Sequence, residues 1–335
     1  MNRFYSTCAA GLEYIAIDMA KASLKGVCDV SPLGGAFLYS ANEDIPYSPI
    51  FQNTYRVIAE YRNVSSIEKL ASLVSRDRDA LDRADLEMRK YGFQTFRCMF
   101  SDRNRLASVN PGTRSAIERS IKNAKADRVS PETELLLLTR TEGTALFLLR
   151  LTKRGNTEKT LAKGELSPSI ATAMVFLAGA EPGGIFCDPF AGHGAIGQAR
   201  AIYCQAKEIH LSDVDPDMIA VMKSKPILRR KNIFISKHDI FDPIPDILSG
   251  RVTELAADPP WGIFAPLPKP AEGFYRDMLA SLRGYCTPGA GICILSADKE
   301  NFEKACGVSR DIRFDSRTDI LVNGKKAALY KGTRL

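Results

Sequence analysis

Tryptophan is nearly absent from this chain, with one in 335 residues, and histidine is scarce at three. No apolar run approaches the roughly 20 residues that a membrane-spanning helix needs. The opening stretch MNRFYSTCAAGLEYIAIDMAK has acidic residues where a secretory leader would carry its apolar centre, so a cytoplasmic location is expected. The eight cysteines form no C-x-x-C pair, and His193, His210 and His238 stand away from them. A Cys/His metal centre is therefore not expected, and the thiols read as reduced and mostly buried. Internal repeats and low-complexity segments are also lacking, as is any strong excess of one charge, the formal net value being +7.

The positive charge is localised. From Arg97 to Glu165 there are 14 Lys and Arg against 8 Asp and Glu, so this segment supplies most of the surplus. A concentrated basic surface suits a polyanion such as nucleic acid, although the same residues also suit an ordinary solvated face.

Length alone favours more than one domain. RFYST reads as a strand followed by a helix, TYRVIAEYR as a strand, and SSIEKLASLVSR as a helix capped by serine, which gives an α+β unit over residues 1–75. The polar stretch DRDALDRADLEMRK follows as an exposed helix or linker. A second α+β unit over 76–160 contains the strand TFRCMFS, the helix TRSAIERSIKNAK and two apolar runs joined at Gly143. Beyond it, over 161–335, strands and helices alternate from GIFCDPF to AGICILSAD, the pattern of a parallel, doubly wound α/β sheet. Asn323 and Gly324 between two apolar runs predict an antiparallel hairpin at its end.

Polar groups gather at the strand ends of this last region. CDPFAGHGAIG holds Gly192, Gly194 and Gly197 at a strand-to-helix turn, where backbone can approach a ligand and a helix N-terminus faces it. Asp213 ends the next strand and could accept both hydroxyls of a ribose, and Asp239 ends the third. Asp215 reads as a helix cap, and His193 as a side chain filling the loop. Glycine loop and ribose acid fit either a dinucleotide or S-adenosylmethionine. AADPPWG separates them: Asp258 ends the fourth strand, while Pro259 and Pro260 remove backbone donors and stiffen the turn. Rigid acceptors are what an exocyclic amine needs if its lone pair is to face a sulfonium methyl group, and Trp261 adds a π-face for a planar base. Hydride transfer has no use for this arrangement.

DPFAGHGAIG followed by DPPWG resembles the paired signature of S-adenosylmethionine-dependent methyltransferases acting on nucleobase amines. TCAAGLEYIAIDMAKA, LLLLTRTEGTALFLLRL, KGELSPSIA and ILVNGKKAALY extend the resemblance to the THUMP-domain RNA (guanine-N2) methyltransferases over nearly the whole chain. The resemblance implies a Rossmann-like class I domain, with a mostly parallel seven-stranded sheet and an antiparallel terminal hairpin, preceded by ferredoxin-like and THUMP-like units. It implies that Asp188, Pro189, Gly192 and Gly194 hold the methionine side of the cofactor, flanked by Ser167 and Pro168. Asp213 would hold the ribose, Asp239 would lie near the adenine amine, and Asp258, Pro259, Pro260 and Trp261 would receive the target amine. The implied substrate is guanine N2 in a structured RNA, most often a tRNA, with no metal. This sequence departs from the usual pattern at His193 and Ala195, and in having Asp and Trp where many relatives have Asn and Tyr. DPPW also occurs in adenine-N6 enzymes, so ribosomal RNA and adenine N6 stay open as alternatives, as does a non-catalytic RNA-binding protein. Asp188 and Asp258 are close in sequence, leaving little room for a recognition insert, so RNA recognition is expected from the basic N-terminal half.

Overall fold

The computed structural model describes residues 1–152, 161–162, 164–263, 266–322 and 324–335. The chain divides into one unit of Met1–Cys8 and Ala20–Thr157 and a second of Ala9–Met19 and Glu158–Leu335.

The first unit is built on nine strands: β1 (Asn2–Thr7), β2 (Cys28–Leu33), β3 (Ala36–Ala41), β4 (Asn53–Tyr61), β5 (Thr95–Asp102), β6 (Arg105–Leu106), β7 (Lys125–Ala126), β8 (Thr133–Thr139) and β9 (Ala145–Arg150). They form one sheet in the order β2-β3-β1-β4-β9-β8-β5-β6, with β7 also paired to β5. The expected modules 1–75 and 76–160 thus share a sheet, joined where β4 pairs with β9. The leucine run of β8 explains how both faces are buried. Leu135 and Leu137 join a core beneath the helices Ile67–Val74, Arg78–Tyr91 and Pro111–Ser120, while Leu136 and Leu138 join Tyr5, Leu38 and Tyr55 on the other face. The helix Arg78–Tyr91, polar in sequence, still buries Ala80, Leu81, Ala84 and Met88 along one stripe.

The second unit contains α1, which begins at Glu13 in the Ala9–Met19 segment and runs on to Ser23. Its other elements are α2 (Pro168–Leu177), β10 (Ile185–Asp188), α3 (Ala195–Tyr203), β11 (Glu208–Asp213), α4 (Pro216–Ser224), β12 (Ile233–Lys237), β13 (Val252–Ala257), α5 (Ala271–Tyr285), β14 (Cys286–Ser296), α6 (Lys299–Val308), β15 (Ile312–Val322) and β16 (Lys325–Arg334). The seven-stranded sheet has the order β12-β11-β10-β13-β14-β16-β15. Pairings are parallel from β12 to β14, whereas β16 lies antiparallel to β14 and β15, as the alternating pattern and the terminal hairpin led one to expect. Val322 pairs with Lys325 across the turn; Asn323 lies outside the described residues. Gly11 sits so close to β15 that a Cβ there would lie 2.2 Å from the Asp319 carbonyl oxygen. Strand order reverses between β10 and β13, which opens a crevice at their carboxyl ends.

One ion pair crosses the core of this unit. Arg200 of α3 is fully buried, and its Nε donates to Glu254 Oε2 of β13 at 2.7 Å. The remaining guanidinium hydrogens reach the carbonyls of Glu181 and Cys204, and Glu254 Oε1 also accepts from the Glu181 N–H. Removing one partner strands a charge without water. Glu254→Ala is expected to cost about 3–5 kcal/mol of folding stability, measured by urea unfolding. Among the described residues no helix is long and apolar enough to cross a membrane.

Candidate active site

Strand polarity brings the candidate residues together, because all parallel strands end on the same edge. Asp188 is the last residue of β10 and Asp213 the last of β11, while Asp258 follows the end of β13 directly. Asp188 feels the charge of both Asp258 and Asp213, so the three carboxyls form one cluster. Asp239, two residues beyond β12, uses Oδ1 to accept the Phe241 N–H at 3.0 Å.

Each glycine of the loop meets a different constraint. Gly192 has φ +49 and open space around the position a Cβ would take. Gly194, the residue before α3, has φ +77, and a Cβ there would strike Leu228 and Met222. A Cβ on Gly197 would strike Leu211 of β11, so this glycine lets α3 lie on the sheet. Of the three, only Gly192 has open space beside its backbone among the described residues. Its N–H is held by Asp213 Oδ2 at 2.8 Å, while Asp213 Oδ1 accepts the Asp215 N–H at 2.9 Å. Asp215 caps α4, as read from the sequence.

Asp188 has no exposed surface; its Oδ1 accepts the Phe190 N–H at 3.1 Å, and its Oδ2 is buried without a hydrogen-bond partner. Burial, then the neighbouring carboxylates, hold its pKa well above the usual range. Asp258 keeps some residue surface, but protein encloses its carboxyl. Burial pushes its pKa up to about 7, opposed by the polar edge of the neighbouring Trp261 indole. Trp261 is half-buried, with its indole beside Asp258. Pro259 is buried and Pro260 exposed.

Ser167 occupies the residue before α2 with Pro168 at its first position, but the Ser167 hydroxyl makes no cap bond; it lies 3.2 Å from that of Ser169. Against the burial of Glu165, Lys225, with Nζ 2.7 Å from its Oε1, holds that carboxyl below its ordinary range, and His193 lies nearby. Val214, 55% exposed, directly follows Asp213, and Phe241, whose N–H Asp239 accepts, packs edge-on to Phe274. A cavity of about 630 Å³ lined by Cys204, Lys207, Arg230 and Asn232 lies where β11 begins, at the other end of the strands from the carboxyl cluster. No cluster able to hold a metal occurs among the described residues.

The RMKL-like methyltransferase domain family matches residues 156–325, half of the chain. The chain belongs to that family. The methyltransferase is similar in structure over 100% of its length to 100% of TrmN from Thermus thermophilus, with TM-score 0.74 and 18% identity. SMU.472 in complex with SAH gives TM-score 0.70 and 16% identity over 98% of this chain and 97% of that one. A predicted N6-adenine-specific DNA methylase from Listeria monocytogenes gives 0.66 and 14%, covering 98% and 95%. At these identities the likeness establishes the fold. No curated protein matches the sequence.

The cofactor of this methyltransferase is S-adenosylmethionine, which closes the dinucleotide alternative. The residues fit it. The partnerless Asp188 Oδ2 can accept from an ammonium group, the open face of Gly192 admits a close ligand, and each Asp213 oxygen keeps a lone pair for a ribose hydroxyl.

The raised carboxyls bear on stability. Asp258 binds its proton more tightly in the folded than in the unfolded chain, so folding stability falls as pH rises from about 4 to about 7. Asp258→Asn lacks that contribution. Its melting temperature should exceed that of the parent, little at pH 4 and fully above pH 7, by calorimetric scans across that range.

Proposed function

We propose that this methyltransferase transfers a methyl group to the exocyclic N2 amine of a guanosine in structured RNA, with tRNA as the substrate. The observation that carries the reading is Asp258 followed by two prolines: a carboxyl and carbonyls in a rigid turn that offers no backbone N–H at Pro259 or Pro260, beside the carboxyl cluster. When bound, S-adenosylmethionine supplies an electrophilic methyl group on a positive sulfur. The Asp258 carboxylate and the Pro259 carbonyl accept the amine's two hydrogens and so aim its lone pair. Trp261 stacks on the base, which leaves its helix at a cost of a few kcal/mol. No strong base is needed, because the amine becomes acidic as its nitrogen is alkylated.

RNA is favoured by the N-terminal unit, read from the resemblance as THUMP-like. Folding trims its basic surplus, since Arg97 and Arg150 both pair with Glu134, and buried Arg140 pairs with Glu142. Arg103, Arg105, Lys122 and Lys125 stay exposed for phosphate contacts. Adenine N6 is the second reading, because DPPW presents the same acceptors to either amine.

Labelling total RNA with tritiated methyl donor, then identifying the nucleoside by mass spectrometry, tests the assignment. N2-methylguanosine is expected; N6-methyladenosine would replace guanine by the second reading, and no transfer would favour a non-catalytic RNA-binding protein. Asp258→Ala should lower transfer by about 10²–10³-fold while leaving RNA affinity nearly unchanged. A protonated Asp258 carboxyl is a weaker acceptor than the carboxylate, so the wild-type rate should fall as pH drops below about 7, in a pH series of single-turnover rates.

A further inference from the structure

Two turns at the carboxyl edge of the seven-stranded sheet are built alike. Asp188 Oδ1 accepts the Phe190 N–H at 3.1 Å, and Asp239 Oδ1 accepts the Phe241 N–H at 3.0 Å. In each turn the phenylalanine brings its ring to Phe274, near the start of α5, with centroids 6.4 Å apart for Phe190 and 5.5 Å apart for Phe241. Phe274 is buried, so both turns rest against one fixed ring.

The Phe241 turn has a second support. Lys269 Nζ lies over the Phe241 ring, 4.1 Å from its centroid, and donates to Asp277 Oδ2 at 2.6 Å. A ring face attracts an ammonium group through its π electrons, and Asp277 on α5 holds that group in place. Lys269 also follows the target-amine motif closely in the chain. Beside Trp261, a Cβ on Gly262 would lie 3.3 Å from Leu267 Cγ, and Leu267 packs on the same core as Phe241 and Phe274. Leu267 and Lys269, just before α5, thus connect the neighbour of Trp261 to the turn that carries Asp239.

A partly exposed ion pair such as Lys269 with Asp277 contributes little to folding. Arg276 Nε also lies 3.5 Å from Asp277 Oδ1, so the carboxylate keeps a partner without the lysine. The contact that depends on Lys269 is the one with Phe241.

We propose that Lys269 is a positioning residue for the cofactor: its ammonium group holds the Phe241 ring against Phe274 and, through the Asp239–Phe241 turn, sets the Asp239 carboxyl toward the adenine end of S-adenosylmethionine. The proposal rests on the assignment of Asp239 to that end. A segment adjoining the target-amine motif thereby bears on cofactor affinity.

Calorimetric titration with S-adenosylmethionine and with S-adenosylhomocysteine, beside steady-state methylation of total RNA, tests it. Lys269→Met should weaken both compounds about fivefold. The loss should be equal because the second compound lacks the sulfonium charge, and the effect lies at the adenosine end. The KM for the methyl donor should rise by the same factor with kcat nearly unchanged. Lys269→Arg keeps the cation and should restore affinity. Phe241→Leu should weaken binding as well, and adding Lys269→Met to it should change nothing further. Additive losses in the double variant overturn the proposal, as does wild-type cofactor affinity in Lys269→Met. A raised KM for RNA with unchanged cofactor affinity overturns it in favour of a phosphate contact. Asp239→Ala tests the underlying assignment separately: unchanged affinity there removes Asp239 from the cofactor site, and the proposal with it. A loss in Asp239→Ala beside wild-type affinity in Lys269→Met overturns this proposal alone.

Discussion

The catalytic unit depends on the buried pairing of Arg200 with Glu254. Arg200 lies on the helix whose N-terminal end carries the glycine loop, and Glu254 lies on the strand that ends at Asp258. One ion pair thus ties the helix that follows the glycine loop to the strand that leads into Asp258. A buried charge pair is a poor source of net stability, because desolvation offsets most of its attraction. Its value is registry. A helix displaced along the sheet would leave the guanidinium away from Glu254 and from the carbonyls of Glu181 and Cys204, each an unsatisfied buried partner.

At the other end of the strands the same unit tolerates the opposite condition. Asp188, Asp213 and Asp258 converge with no fixed cation between them among the described residues, and burial raises two of the three above their ordinary range. The arrangement is electrostatically unfavourable for the protein alone. It suits a ligand that brings an ammonium group, a sulfonium and ribose hydroxyls, because each relieves a group already held in place.

Much of this site was legible in the sequence because strand-end position and ligand chemistry coincide there. Asp188, Asp213, Asp239 and Asp258 each stand at a strand end, and the parallel alternation places strand ends on one edge. What escaped was tertiary. Nothing local marks Arg200, in GQARAIY, as a fully buried cation, since its partner lies in a different strand far along the chain. Ser167 looked like a helix cap by residue type, yet its hydroxyl faces Ser169. The three glycines of the loop looked equivalent, and only the packing of Leu228, Met222 and Leu211 separates their duties. In the N-terminal half, modules delimited by composition merged into one sheet because the pairing of β4 with β9 joins distant segments.

The segment Ala9–Met19 gives the chain a problem of timing. It is synthesised long before β15, yet Gly11 packs on the backbone of Asp319 and Ile320. At about 5–20 residues per second, roughly 15–60 s separate the two. The strand just before this segment and the chain just after it belong to the other unit, which can fold earlier. The nascent protein must therefore hold a short, half-apolar segment unsatisfied until β15 arrives.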